Sequence, residues 1–86
     1  MTGLIRTTFP HPAGTIRAVI FQEGDMLVGQ CLEYDIGAQA EDMPTLLHRI
    51  RAAINAETEV AQGAYDKVFA GIPKAPKKFF EMWGDG

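Results

Sequence analysis

The chain has 86 residues, 47% of them hydrophobic and 22% charged, the balance of one small globular domain and not of a disordered tail. Its formal net charge of −3 argues against a protein held mainly by nucleic-acid phosphates, which demands a lysine and arginine excess. A single cysteine permits no internal disulfide, so a reducing cytoplasm is the expected setting, and no apolar window approaches the roughly 18 residues that span a bilayer.

A domain of this size buries only about 60–65% of its unfolded surface, so oligomerisation or a partner is expected to contribute to its stability. The first fourteen residues, MTGLIRTTFPHPAG, lack the uninterrupted apolar core of a secretory signal. Two prolines around His11, followed by Gly14, exclude a helix there and favour a loose arm or an edge segment.

Thr15–Glu23 is rich in β-branched and aromatic residues and is bounded by Gly14 and Gly24, which predicts a strand. Alternation puts Arg17, Val19 and Phe21 on one face and Ile16, Ala18, Ile20 and Gln22 on the other. Glu23-Gly24-Asp25 reads as a tight hairpin turn. The extended pattern resumes from Met26 through Leu32, but running it on to Ala40 exceeds the usual strand length of about 3–10 residues. Asp35 and Gly37 place the break near Tyr34–Gly37, followed by a short strand ending at about Gln39 or Ala40.

Asp42 then reads as a helix N-cap, with Pro44 in the first turn, where a missing N–H costs no helical bond. Glu41 and Asp42 also suit the positive end of the helix dipole. Met43, Leu46, Leu47, Ile50, Ala53 and Ile54 recur at intervals of three and four, extendable to Val60 and Ala61, and so form one apolar stripe. His48, Arg49, Arg51, Asn55, Thr58 and Glu59 occupy the opposite side, and Gly63 is the predicted stop. Ala64–Ala70 fits a final strand or a continuation of the helix. Ile72–Lys78 is extended by its prolines, and Phe79–Trp83 reads as one helical turn before Gly84.

Three groups carry candidate chemistry. Glu33 and Asp35 share a face if their strand stays regular, and such a pair could serve a two-metal nuclease. The first strand, however, supplies no acid before Glu23, and solvated turn and cap carboxylates are the plainer reading. Cys31 lies among small and apolar residues and reads as core; as a nucleophile it would need His11 or His48 as base. Lys74, Lys77 and Lys78 beside Phe79, Phe80 and Trp83 suggest a stacking surface for single-stranded nucleic acid. Glu81 and Asp85 leave those lysines little field, and the spacing of the three aromatics favours instead a tail that folds back on the sheet or packs across a dimer.

The run TIRAVIFQEGDMLVGQCLEYDIGAQAEDMPTLLHRIRAAI, Thr15–Ile54, resembles the HicB-like antitoxin domain. Its most specific part is Gln39-Ala-Glu-Asp42 entering an amphipathic helix, and the PKAPKKFF tail is similar to the proline-rich ends of stand-alone members. Position 40 is Ala where the family often has Gly, and 43–44 is Met-Pro where Leu-Glu is common. The resemblance implies an α+β fold, a partly degenerate ribonuclease H-like unit with a small three- to four-stranded antiparallel sheet packed on one long helix. The chain then divides into an N-terminal arm or edge segment (1–14), a HicB-like domain (15–70) and a Pro/Lys/aromatic C-terminal tail (71–86).

The resemblance also implies a non-enzymatic role without cofactor or metal: a homo-dimer or higher oligomer that neutralises a small basic ribonuclease toxin (HicA-like) by direct contact. No helix-turn-helix or ribbon-helix-helix module is read in the chain, so no direct DNA binding is expected of it. Glu33, Asp35, Glu41 and Asp42 are the candidate acidic contact residues, and Phe79, Phe80 and Trp83 the candidate packing residues. The alternatives are a metal-dependent nuclease on the same fold using Glu33 and Asp35, or an orphan HicB-like binding protein without a toxin.

Overall fold

The computed structural model describes residues 3–60 and 69–84. Four strands, β1 (Ile5–Phe9), β2 (Ile16–Glu23), β3 (Met26–Cys31) and β4 (Gly37–Ala40), precede two helices, α1 (Met43–Val60) and α2 (Lys77–Trp83). The strands form one antiparallel meander in the order β1-β2-β3-β4, so the chain is a small α+β domain with β1 and β4 at the sheet edges.

β1 is the fourth strand that the proline-bounded N-terminal segment only hinted at. Ile5, Thr7 and Phe9 alternate opposite Ile20, Ala18 and Ile16 of β2, and the strand stops at Phe9, just before Pro10 removes a ladder donor. The β2–β3 hairpin closes over two residues, with Gly24 at φ +61°. A glycine in the first loop position supplies the positive φ of a type II′ turn, whose twist matches the flanking strands.

Alternation then assigns the two faces of the sheet. Ile16, Ala18, Ile20, Cys31 and Ala40 join Leu46, Ile50 and Ile54 of α1 in one core. Each side chain the size of Leu46 or Ile50, both fully buried, contributes about 1.5–3 kcal/mol of transfer free energy. Gly29 is what lets α1 come close. A Cβ there would lie 2.6 Å from the Ile50 Cδ1 and 3.5 Å from both Leu46 methyls. The helix starts as its sequence predicts: the Thr45 N–H donates to Asp42 Oδ1 at 2.9 Å, and the Leu46 N–H to the Asp42 carbonyl at 3.1 Å.

The second face of β2 is covered by α2. Phe21 stacks on Phe79 with ring centroids 6.3 Å apart. The Arg17 guanidinium lies 5.6 Å from the Phe80 ring centroid and 5.5 Å from that of Trp83. Between Arg17 and Phe21, Val19 is fully buried. Arg6 donates to the Trp83 carbonyl at 2.7 Å and the Met82 carbonyl at 3.3 Å, satisfying carbonyls that a helix C-terminus leaves open. Gly84, at φ +116°, ends the helix in the left-handed conformation. The segment leading into α2 is tied to the β3–β4 loop: the Asp35 N–H donates to the Pro73 carbonyl (2.7 Å) and the Ala75 N–H to the Leu32 carbonyl (3.0 Å). Extended chain ends at Pro76, so Lys77 and Lys78 belong to the helix.

The predicted stop at Gly63 and the strand-or-helix question over 64–68 lie outside the described residues. Phe69–Gly71 form a turn in which Phe69 itself has φ +66°. Its ring, almost fully buried, stacks on Tyr34 at 4.0 Å.

Candidate functional site

The four candidate carboxylates do not form one cluster. Three of them bracket β4, and the fourth turns away. The last ladder pair between β2 and β3 is Ala18 with Cys31, so the Arg17 N–H has no strand partner on that side. Glu33 replaces it, accepting from the Arg17 N–H through Oε1 and from the Arg17 Nε through Oε2, each at 2.7 Å. Both side chains are about a quarter exposed. Glu33 is thereby part of the platform under Phe80 and Trp83.

Asp35 is exposed and stands two residues before β4, where its Oδ1 accepts from the Gln30 Nε2 at 2.9 Å. Glu41 and Asp42, both exposed, stand just beyond the other end of the strand. Hydrogen bonds from the Thr45 N–H and then its hydroxyl hold the Asp42 carboxyl below the usual aspartate value. It is therefore ionised across the neutral range.

Between these acids lies an edge with backbone groups to offer. The Cys31 N–H donates to the Ile36 carbonyl at 2.8 Å, and the same register pairs Gly29 with Ala38 and Leu27 with Ala40. In an antiparallel ladder the hydrogen-bonded pairs alternate, so Gly37 and Gln39 direct their N–H and C=O groups away from β3. Both residues are exposed. Arg49, one of the polar-face residues of α1, donates to the Gln39 carbonyl at 2.6 Å. It partly blunts the edge and adds one positive charge beside the acids. The sequence reading named the acids; which backbone groups lie between them follows from the strand register, and Gly37 was legible only as a turn former.

The other candidates occupy separate places. Cys31 is fully buried, and burial, followed by the nearby Glu33 carboxylate, pushes its thiol up to about 12. A thiol so protonated is no nucleophile at neutral pH. His48 is exposed on α1. His11 is bonded elsewhere, with its Nε2 2.8 Å from the Thr58 hydroxyl and its Nδ1 accepting from the Ala13 N–H at 3.0 Å. Among the described residues no group of three or more His, Cys, Asp and Glu side chains is placed to hold a metal ion, and no helix is long and apolar enough to cross a membrane.

Lys74, Lys77 and Lys78 are exposed; Lys77 lies 3.9 Å from Glu81 and the Lys78 ammonium 5.1 Å from the Phe79 ring centroid. Phe79, Phe80 and Trp83 are each half-buried against the sheet of their own chain. In comparisons with known proteins, no family model, no curated protein and no solved structure matches this chain.

Proposed function

We propose that this chain is a non-enzymatic protein-binding module of the HicB-like antitoxin type, built on a partly degenerate ribonuclease H-like framework. It neutralises a small basic ribonuclease by direct contact along the β4 edge. The observation that carries this reading is the edge strand Gly37–Ala40, in which exposed Gly37 and Gln39 turn backbone groups outward, the Gln39 carbonyl shared with Arg49, and carboxylates stand at both ends. An edge of this kind accepts an added strand through main-chain bonds, and the flanking acids select a basic partner and steer its approach. A homo-dimeric or higher assembly in the cytoplasm belongs to the same reading.

The test is co-expression with any small basic protein encoded beside this chain. The expected result is a complex that co-purifies, growth arrest by the partner alone, and rescue by this chain. Gln39→Pro removes an N–H that points away from β3 and leaves the ladder intact. Together with Asp35→Lys and Glu41→Lys, it is expected to abolish rescue in a protein that still folds. The absence of any arresting neighbour would reject the antitoxin role. Full rescue by the triple variant would move the contact off this edge.

A further inference from the structure

A cavity of about 210 Å³ opens at the opposite edge of the sheet, between the end of β1 and the second half of α1. Phe9 and Ile54, almost fully buried, and Pro10 give it an apolar floor. Arg51 and Asn55 also line it. They are four residues apart and so stand one above the other on one helix face.

The Arg51 guanidinium lies 5.7 Å from the Phe9 ring centroid, a placement that leaves its N–H donors free. Among the described residues it has no hydrogen bond and no acidic partner, and neither has the Asn55 amide a protein hydrogen bond. The positions one turn away from Arg51 on α1 are Leu47, His48, Ile54 and Asn55, none of them acidic. In a chain of net charge −3, this is a positive fork that has no counter-charge among the described residues, set over an apolar floor. His11 forms a fixed side wall, held by its bonds to Thr58 and Ala13.

From this we infer that the cavity binds a small organic monocarboxylate. The carboxylate sits on the Arg51 fork and the Asn55 amide, and a ring or branched aliphatic body lies on Phe9, Pro10 and Ile54. Guanidinium matches carboxylate geometry with two parallel bonds, and the floor supplies the apolar contact. A volume of about 210 Å³ has room for a single ring or a short branched chain. None of these residues belongs to the β4 edge, so the site stands or falls apart from the partner-binding proposal.

Benzoate is the probe, titrated into the full chain by calorimetry and by amide chemical shifts. Benzyl alcohol supplies the body without the charge, and inorganic phosphate the charge without the body. Saturable binding of benzoate is expected, with shifts centred on Phe9, Arg51 and Asn55. Arg51→Gln and Asn55→Leu, both at exposed positions, are each expected to weaken it about tenfold or more, the scale of a lost charge-assisted bond. Lys74→Gln, outside the cavity lining, is expected to bind as the wild type does.

Whichever of the two cavity variants keeps its circular dichroism spectrum decides the outcome. Unchanged affinity in a folded cavity variant overturns the proposal, as does an absence of saturation. Equal binding of benzyl alcohol removes the role of Arg51, and equal binding of phosphate removes that of the apolar floor; either result also overturns it.

Discussion

Gly29 and Cys31 are neighbours on the core face of β3, and each carries a consequence that its sequence context alone does not state. At Gly29 two effects compete. Replacing glycine within a strand removes an entropic cost of about 0.5–1 kcal/mol, but a Cβ meets the Ile50 Cδ1 at 2.6 Å. That atom is the tip of a side chain and can turn aside for one methyl, so Gly29→Ala is expected to leave stability nearly unchanged. Gly29→Val adds two methyls against a filled core and is expected to cost about 1–3 kcal/mol. Thermal unfolding should then show the valine variant several degrees below the alanine one, at about 4–8 °C per kcal/mol for a small domain. Equal melting points would mean α1 does not press on this strand. Cys31 gives a pH signature instead. Its thiol ionises near 12 in the folded chain against 9.0 for the free group, so between those values the unfolded chain binds fewer protons. The stabilising contribution is complete below pH 9 and declines as pH rises from there toward 12. Cys31→Ala is therefore expected to show a shallower alkaline loss of stability than the wild type, measured by urea unfolding across that window. Parallel pH profiles would place the thiol in contact with water.

At the scale of elements, α2 is weakly held among the described helices and strands. None of its residues is fully buried, and its attachment rests on the stacked Phe79, on Arg17 between Phe80 and Trp83, and on Arg6 at its end. An element with few buried contacts opens at lower free energy than the core. Amide exchange is expected to be orders of magnitude faster for Gly84, bonded to α2 carbonyls, than for Ala18 and Ile20 in β2. Trp83→Ala, losing a cation–π contact of about 0.5–1 kcal/mol, should accelerate the α2 amides and leave β2 unchanged; joint acceleration would make α2 part of the global unit. The sequence shows α2 through its aromatic spacing and Gly84, but not its docking site, since Arg17, Val19 and Phe21 read simply as the far face of a strand. The same limit applies at Glu33 and Asp35. Counting by two puts them together, whereas the strand ends at Cys31 and they take different partners, Arg17 and Gln30. Strand β1 was open in the sequence as an arm or an edge segment, because two prolines dominate its surroundings, and the pairing of Ile5, Thr7 and Phe9 with β2 decides for the edge strand. By contrast α1, its Asp42 cap and the Gly24 turn follow from local rules, and the sequence places all three.

For the whole molecule, the proposed partner surface and the carboxylate cavity use opposite edges of one sheet, and α1 contributes an arginine to each: Arg49 at β4 and Arg51 beside Phe9. The residues of α1 face these two ends because successive side chains on a helix are about 100° apart, a division that the sequence showed only as one polar face. The acids at the β4 edge are exposed, so their pull on a basic partner acts through solvent. It should reach about 30 Å at 0.01 M salt and about 8 Å at 0.15 M. Exposed charge of this kind governs the association rate more than the lifetime of a complex. With the partner purified from the co-expression described above, stopped-flow association is expected to slow by about tenfold or more across that salt range, while dissociation changes little. Asp35→Lys with Glu41→Lys should bring the low-salt association rate down to the high-salt value and remove most of the salt dependence. Asp42 is left in place in this variant because it also caps α1, which keeps the comparison free of a change in folding. If the double variant retains the wild-type salt dependence, the field that guides the partner comes from elsewhere on the surface, and the acids around β4 are caps and turns alone.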